Sequence, residues 1–390
     1  MEPKKASTLI RVTYFTAFFA DALFTPFLAL YFLSVGLSKN ECGILLAIVP
    51  FATFFGNYFY AFLLRRGIKP LFLMRLLSLF EGIVVLAIGF ISQFWGLLVL
   101  LSFFSLNNSP YFQIQDSYSA GETKRWGKSF YSIRIFGSLA YATALLLGYF
   151  LLKNVDYRSV FVISSVFFFV DFALTFFLHE SGNNDFPQRD IQKKNNFLSN
   201  RHLVLYVIFY VLVFGSLSIG SYVLPIHLKE LGLADNEYSA FNGLRVLCEI
   251  LAVFLSTKIE KWLKGSKNSL IVSSVLFLLS SLVVVCVKGA YPIVIANYLL
   301  RGFGGGLFIV SSVHYVQTIV GDSALSKGLT ISAGTMNLFV GLGNLASPYL
   351  YDSWSFPFLF GILALFQGIG LIFLIVSPKT NEQHNAPVIK

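Results

Sequence analysis

The sequence predicts an all-α integral membrane protein, with twelve transmembrane helices arranged as two parallel six-helix repeats. Three observations predict it. Of 390 residues only 12% are charged, about half the usual quarter for a soluble chain. Hydrophobic residues make up 56% and include 43 Phe, more apolar surface than an aqueous fold can hide. These residues are gathered into twelve apolar runs close to the roughly 20 residues that cross a bilayer as a helix. A disordered, collagenous or disulfide-stapled chain is excluded by the same composition.

The first run covers 8–34 and follows Lys4 and Lys5, as a signal peptide would. It is longer than a signal sequence core and carries Asp21 at its middle, so it is expected to stay in the protein as a helix. Gly36 closes it, and the next runs are 41–64, ended by Gly67 and Pro70, then 71–91, 96–119, 129–152 and 158–178, with Gly121 after the fourth. The stretch 180–202 is rich in Asn, Asp, Gln and Lys, has little to pack, and reads as a linker. Six more runs follow at 203–228, 236–256, 269–287, 290–315, 326–350 and 356–376, punctuated by Gly265, Pro292, Gly321 and Pro357. The expected domains are a six-helix bundle at 1–179, the linker at 180–202, a second bundle at 203–376 and a tail at 377–390.

The halves echo each other. Gly36-Leu37-Ser38-Lys39-Asn40-Glu41 after the first span matches Gly232-Leu233-Ala234-Asp235-Asn236-Glu237 after the seventh, and each follows a helix with a proline, Pro26 or Pro225. Both echoes separate an odd span from an even one, so the repeats share one orientation. With the N-terminus inside, nineteen Lys and Arg fall in cytoplasmic segments and five outside, which places both termini in the cytoplasm of a plasma or inner membrane. The net charge of +10 is spread over separate loops, so anionic lipid rather than nucleic acid is its expected partner. Cys42, Cys248 and Cys286 form no pairing or metal motif, and no metal site is expected.

Eight ionisable residues sit well inside the runs: Asp21, Glu81, Asp116, Arg134, Asp171, Arg245, Glu249 and Arg301. Each would cost about 2.5–3.5 kcal/mol if left in lipid, so they are expected to face a watery cavity or one another. Arg11 and Arg75, near helix ends, are expected to snorkel. Asp116 and Arg134 lie at similar depths on consecutive helices, and Arg134, Ser138 and Tyr141 recur on one face at four and seven residues. That face suits a polar molecule with hydroxyls and an apolar ring edge; the same pair can equally lock two helices together. Asn242, Arg245 and Glu249 share a face of the eighth span, where Glu249 is poised to carry a proton or to form an intrahelical ion pair. Asn337 lies on a stripe with Thr330, Gly334, Gly341 and Asn344 that suits close packing or ligand contact. Asp21 shares a face with Tyr14, and Asp21, Arg301, Glu81 and Asp171 complete the cavity candidates. No G-x-S-x-G, H-E-x-x-H or P-loop motif is present, so no enzyme is expected.

Twelve spans, a central linker and the basic Arg65-Arg66-Gly67 connection resemble the major facilitator superfamily. Within it, Phe130 to Ala142 (FYSIRIFGSLAYA) is similar to the helix 5 signature of the lactose permease branch, shared with nucleoside:proton symporters and phenylpropionate permeases; PFLALYFLSVGLS and Leu300-Arg301-Gly302 are similar to that branch too. The resemblance implies that Arg134 and Asp116, eighteen residues apart, bind sugar, with Tyr141 in place of a Trp platform and Glu249 at the branch's helix 8 acidic position. Leu64 replaces an acidic residue of the gating motif, and a helix 10 Lys/His/Glu cluster is absent.

The combined reading is a secondary transporter, working as a monomer by alternating access, that couples protons to uptake of a small polar solute such as a sugar or glycoside. A nucleoside or aromatic-acid symporter and an efflux antiporter are the alternatives. Asp116, Arg134, Ser138, Tyr141, Asn242 and Asn337 would bind substrate. Glu249, tuned by Arg245, would carry the proton, with Asp21 second. No cofactor is expected beyond the proton gradient.

Overall fold

A computed structural model describes residues 3–127, 130–179, 200–321 and 325–377. Most of the expected linker and the tail beyond 377 lie outside them. The described residues form fourteen α-helices and no strand.

The first span is α1 (Pro3–Ala22), a 3-10 turn at Thr25–Phe27 and α2 (Leu28–Ser34). Pro26 accounts for the break, because it brings no N–H to the helical ladder. The spans that follow are α3 (Lys39–Arg65), α4 (Pro70–Ile88), α5 (Phe94–Arg125), α6 (Tyr131–Asn154) and α7 (Tyr157–Thr175). The seventh span is α8 (Arg201–Tyr210), a π-helical turn at Val211–Gly215 and α9 (Ser216–Glu230). Then come α10 (Asp235–Trp262), α11 (Ser266–Cys286), α12 (Ala290–Val320), α13 (Leu325–Ser353) and α14 (Phe356–Val376).

Eleven of these passes are long and apolar enough to cross a membrane. The remaining one, α5, has 32 residues, about 48 Å at 1.5 Å per residue. It misses on apolarity because Asn107, Asn108, Gln113, Gln115 and Asp116 interrupt it. Of these Gln115 is buried, as are Ser105 and Ser119 on the same helix. Large apolar side chains are instead exposed on the outer faces, among them Phe55, Phe59, Phe103, Phe150, Leu251 and Ile372, the surface that lipid covers. Trp95, Trp262 and Trp354 are exposed at helix ends, where the bilayer interface favours indole rings.

The chain forms two compact units, 1–193 with 234–243, and 194–233 with 244–390. In the first, α1 packs on α6 and α7, α3 on α5, and α4 on α5 and α7. The first turns of α10 belong to it as well: Tyr157 donates to Asp235 at 2.6 Å, and Ser239 to the Leu145 carbonyl at 2.6 Å. In the second, α11 packs on α12 and α14, and α13 on the π turn of the seventh span. Third span on sixth becomes ninth on twelfth, third on fourth becomes ninth on tenth, and first on fifth becomes seventh on eleventh. The pairing repeats in the same order, as parallel repeats require.

The hexapeptide echo has a structural basis. Gly36 and Gly232 both take positive φ, +88° and +91°, and the next residue donates back across the helix end, Leu37 to Phe32 at 3.1 Å and Leu233 to Leu228 at 2.9 Å. This is a glycine-closed helix terminus. The glutamate then reaches the entry of the following helix: Glu41 accepts from the Ser38 N–H at 2.8 Å, and Glu237 from the Ala234 N–H at 3.0 Å. Ser38 completes a reciprocal capping box; Ala234 has no hydroxyl with which to do so.

Glycine also sets how closely helices approach. A Cβ on Gly56 would stand 2.1 Å from the Leu106 carbonyl oxygen, on Gly302 2.4 Å from that of Arg245, and on Gly306 2.3 Å from that of Glu249. Backbone meets backbone at these points. Gly306→Val is therefore expected to destabilise the protein by at least about 1–3 kcal/mol, read as a lower thermal midpoint in detergent.

At the entry of α7, the Ser159 N–H and hydroxyl both donate to Asp156, at 3.0 and 2.7 Å, and hold its carboxyl below the ordinary carboxylate range. Asp156→Ala should cost about 1 kcal/mol, while Asp156→Asn, itself a good cap, should cost little. Because the folded value is depressed, the ionised cap stabilises above the ordinary carboxylate value and is lost as pH falls through the folded one. Acid melts of the wild type and Asp156→Asn check the sign.

Candidate functional site

The polar residues of the first unit converge on α5. Tyr14 on α1 donates its hydroxyl to Asp116 at 2.6 Å, and Arg134 on α6 brings its Nε to 3.5 Å of the same oxygen. The guanidinium lies 4.5 Å over the Phe18 ring, which stacks on Tyr14 at 5.9 Å and packs on Phe112 at 4.3 Å. Gly137 gives this arrangement its room, since a Cβ there would stand 2.8 Å from Phe18 and 3.0 Å from Arg134 Nη1. Asp116 and Arg134 thus meet, as their depths predict. Their side chains remain about a third exposed, at 38% and 35%, so water or a ligand reaches them. Ser138 and Tyr141 follow one and two turns along α6, both half-buried; among the described residues no hydrogen bond joins Ser138 to the pair.

Tyr14 and Asp21 share a face of α1, but that face is read by α5 at two heights. Tyr14 meets Asp116, and seven residues on, Asp21 accepts from Asn108 at 3.1 Å, eight residues back along α5. This is the register of an antiparallel pair. Asp21 also accepts from Thr25 at 2.7 Å. Asp171 is fully buried and accepts from Tyr111 at 2.5 Å and Thr16 at 3.1 Å, with Gln115 donating to Tyr111 at 3.4 Å. Glu81 on α4 is 1% exposed, and among the described residues neither of its carboxyl oxygens has a hydrogen-bond partner. Arg11 and Arg75 settle against aromatic rings, Phe136 at 5.2 Å and Phe176 at 4.7 Å.

In the second unit Arg245 and Glu249 form an ion pair at 3.1 Å, both side chains partly exposed. The glycines of α12 hold α10 in place behind that pair: Gly302 and Gly306 abut the carbonyls of Arg245 and Glu249, and Gly305 leaves space 3.6 Å from the Glu249 carboxylate. Arg301, on the same helix as these glycines, is buried and donates to the Leu217 carbonyl at 2.9 Å and to the Ser221 hydroxyl. Asn337 is half-buried on α13. Asn242 is buried in the opening turns of α10, which belong to the first unit.

Tyr111, Thr16, Thr25 and Asn108, as partners of the buried acids, escape a reading built on charge, because neutral hydroxyls and amides are common in any helix. The available signal was the polar run in α5 itself. His314 of α12 meets Glu260 of α10 at 2.9 Å.

With this geometry in view, a family model described as "MFS_1 like family" matches residues 8–362. The chain belongs to that family. It is a membrane transporter of the major facilitator kind and not an enzyme. An "Uncharacterized transporter YwbF" of Bacillus subtilis (strain 168) is 23% identical over 380 residues, covering 95% of this chain and 93% of the relative. A "Probable 3-phenylpropionic acid transporter" of Escherichia coli (strain K12) is 28% identical over 153 residues, 38% of this chain and 39% of that protein. In fold, the chain superposes on the nucleoside transporter NupG with a TM-score of 0.77 at 14% identity, covering 96% of this chain and 98% of that one. It superposes on a POT family peptide transporter at 0.75 and 11%, covering 98% of this chain and 99% of that one.

Tyr14 supplies a hydroxyl donor to a carboxylate, a bond worth about 1.5–3 kcal/mol. Tyr14→Phe should lower the thermal midpoint of the purified transporter by a corresponding amount, whereas Ser138→Ala, outside the network, should change stability by less than about 0.5 kcal/mol. Equal effects would show that the Tyr14 bond does not hold the site.

Proposed function

We propose that this transporter carries a small polar organic solute, a sugar or glycoside, into the cell together with protons, by alternating access. One observation carries the proposal. Asp116 is anchored by Tyr14 and by Arg134 Nε, while no acceptor for the outer guanidinium nitrogens of Arg134 occurs among the described residues and the side chain as a whole remains partly exposed. A planar fork of donors beside a carboxylate, against the Phe18 and Phe112 rings, matches vicinal hydroxyls on an apolar ring face. Ser138 and Tyr141, on the same helix, extend that surface, and Asn242 and Asn337 offer amides elsewhere.

Glu249 is the proton carrier in this reading. Its carboxylate is ion-paired with Arg245 at 3.1 Å, and a movement that parts the two would free it; Asp21 is the second choice. The transporter needs no cofactor, drawing its energy from the proton gradient. The Lys and Arg bias of the loops orients it in the plasma or inner membrane with both termini in the cytoplasm, and the reading requires only a monomer.

A second reading, an aromatic carboxylate as substrate, is favoured by the E. coli relative, whose name gives it 3-phenylpropionic acid. Uptake into proteoliposomes under an imposed proton gradient, screened with sugars, nucleosides and aryl acids, separates these readings and gives the direction of transport. Arg134→Lys should weaken substrate binding by about tenfold or more, because a point charge cannot replace the fork; wild-type affinity there would leave the pair a structural strut. Glu249→Gln should lose uphill accumulation yet keep exchange of preloaded substrate, and unchanged accumulation would remove Glu249 from coupling.

A further inference from the structure

Glu81 and Asp171 are the acids inside the first unit's spans that the proposed function leaves unused, and the surroundings of Glu81 differ from those of its neighbours. Each of the other three acids inside the first unit has donors. Asp116 has Tyr14 and Arg134, Asp171 has Tyr111 and Thr16, and Asp21 has Thr25 and Asn108. Glu81 has none among the described residues, with both oxygens buried.

Every element around it is short of positive charge. Asp21 on α1 and Asn108 on α5 are the groups that act on Glu81, and Glu81 in turn acts on Tyr60 of α3 and Tyr111 of α5. Helix α7, which packs on α4, brings Asp171, already bound by Tyr111. On α4 itself Arg75 lies nearly two turns away and donates to the Thr175 carbonyl. Asn108 gives one of its two amide hydrogens to Asp21 and is the neighbour placed to offer the other, yet no hydrogen bond from it reaches either Glu81 oxygen. An ionised carboxylate cannot persist in a buried position without a donor or a cation, whereas a carboxylic acid can.

We propose that Glu81 is a proton-binding site within the first unit, a carboxylic acid in this conformation, with the negative charge of the pair left on Asp21. The donor count makes the assignment: the acid with two donors keeps the charge, and the acid with none takes the proton. The reaction is a simple protonation, carboxylate plus proton giving the acid, and its release requires water or another acceptor to reach α4. Only the use of that proton in transport rests on the symport reading; the site stands apart from it and from Glu249.

Infrared spectroscopy of the intact transporter in lipid at neutral pH tests this directly. A protonated-carboxyl C=O band is expected, shifted by ¹³C-glutamate labelling and not by ¹³C-aspartate labelling. It should be absent in Glu81→Gln, displaced in Glu81→Asp and retained in Asp21→Asn. The isotope arms assign the band to a glutamate in the wild-type protein, and its displacement in the conservative Glu81→Asp variant but not in Glu249→Gln places it at Glu81; a band lost in Glu249→Gln and unchanged in Glu81→Asp overturns the proposal. A band that follows aspartate labelling, or no protonated band at all, overturns the proposal. In the same vesicles, substrate affinity measured across pH shows whether the proton is coupled, with an expected dependence of about five- to a hundredfold that is reduced in Glu81→Gln. A wild type indifferent to pH would sink the symport reading alone.

Discussion

A polar side chain inside an apolar layer has to find its partner within the protein, and this constraint organises both repeats. In water an unmet hydroxyl or carboxylate turns to solvent; here it must be met by another helix. The first unit shows the result. Ser164 and Ser165 of α7 donate to the carbonyls of Ala20 and Gly82, each at 2.7 Å, and the Tyr31 hydroxyl meets the carbonyl of Ile88, the last residue of α4, at 2.7 Å and that of Ile91 in the turn beyond it at 3.0 Å. Three of the four acids inside its spans are answered by groups from other helices. Helix α5 carries so many polar groups that it is the least apolar of the passes, yet it remains inside because its neighbours satisfy it.

Two kinds of information in the chain behaved differently. The spans were legible because bilayer thickness imposes a length and an apolarity that ordinary composition never produces by accident. The encounters of Asp116 with Arg134 and of Arg245 with Glu249 were legible because depth and helical spacing fix them. What escaped was the identity of neutral partners. Tyr14 shares a face with Asp21, as spacing says, but spacing within one helix cannot tell which neighbour that face meets, or that α5 reads it at two separate heights. Nor could Glu81 be told from Asp171 in the sequence, since both are single acids in apolar runs; one is enclosed by hydroxyls and the other is not. α5 shows the same limit from the other side: a scale of apolarity counts its amides against it without seeing where they point.

The repeats share a scaffold more closely than they share chemistry. Their helix pairings correspond, and the loops after the first and seventh spans end and restart helices by the same means. The first span of each is interrupted, in one case by a 3-10 turn at a proline and in the other by a π turn. The polar cargo has diverged more. The first unit concentrates acids and tyrosines around α5, whereas the second carries the arginines Arg245 and Arg301 with Glu249. Duplication preserved the frame on which helices pack and left the inward faces free to specialise.

The glycine contacts of α12 carry a mechanical consequence. Side chains that interlock can repack by changing rotamer, but two backbones in direct contact have nothing between them to rearrange. At Gly302 and Gly306 the tenth span leans on the carbonyls of Arg245 and Glu249 themselves, so the two helices form a single beam. Arg301 is bolted to that beam beside Gly302. Any displacement that carries the Arg245–Glu249 pair therefore carries Arg301 with it, and the three charged groups travel as one part.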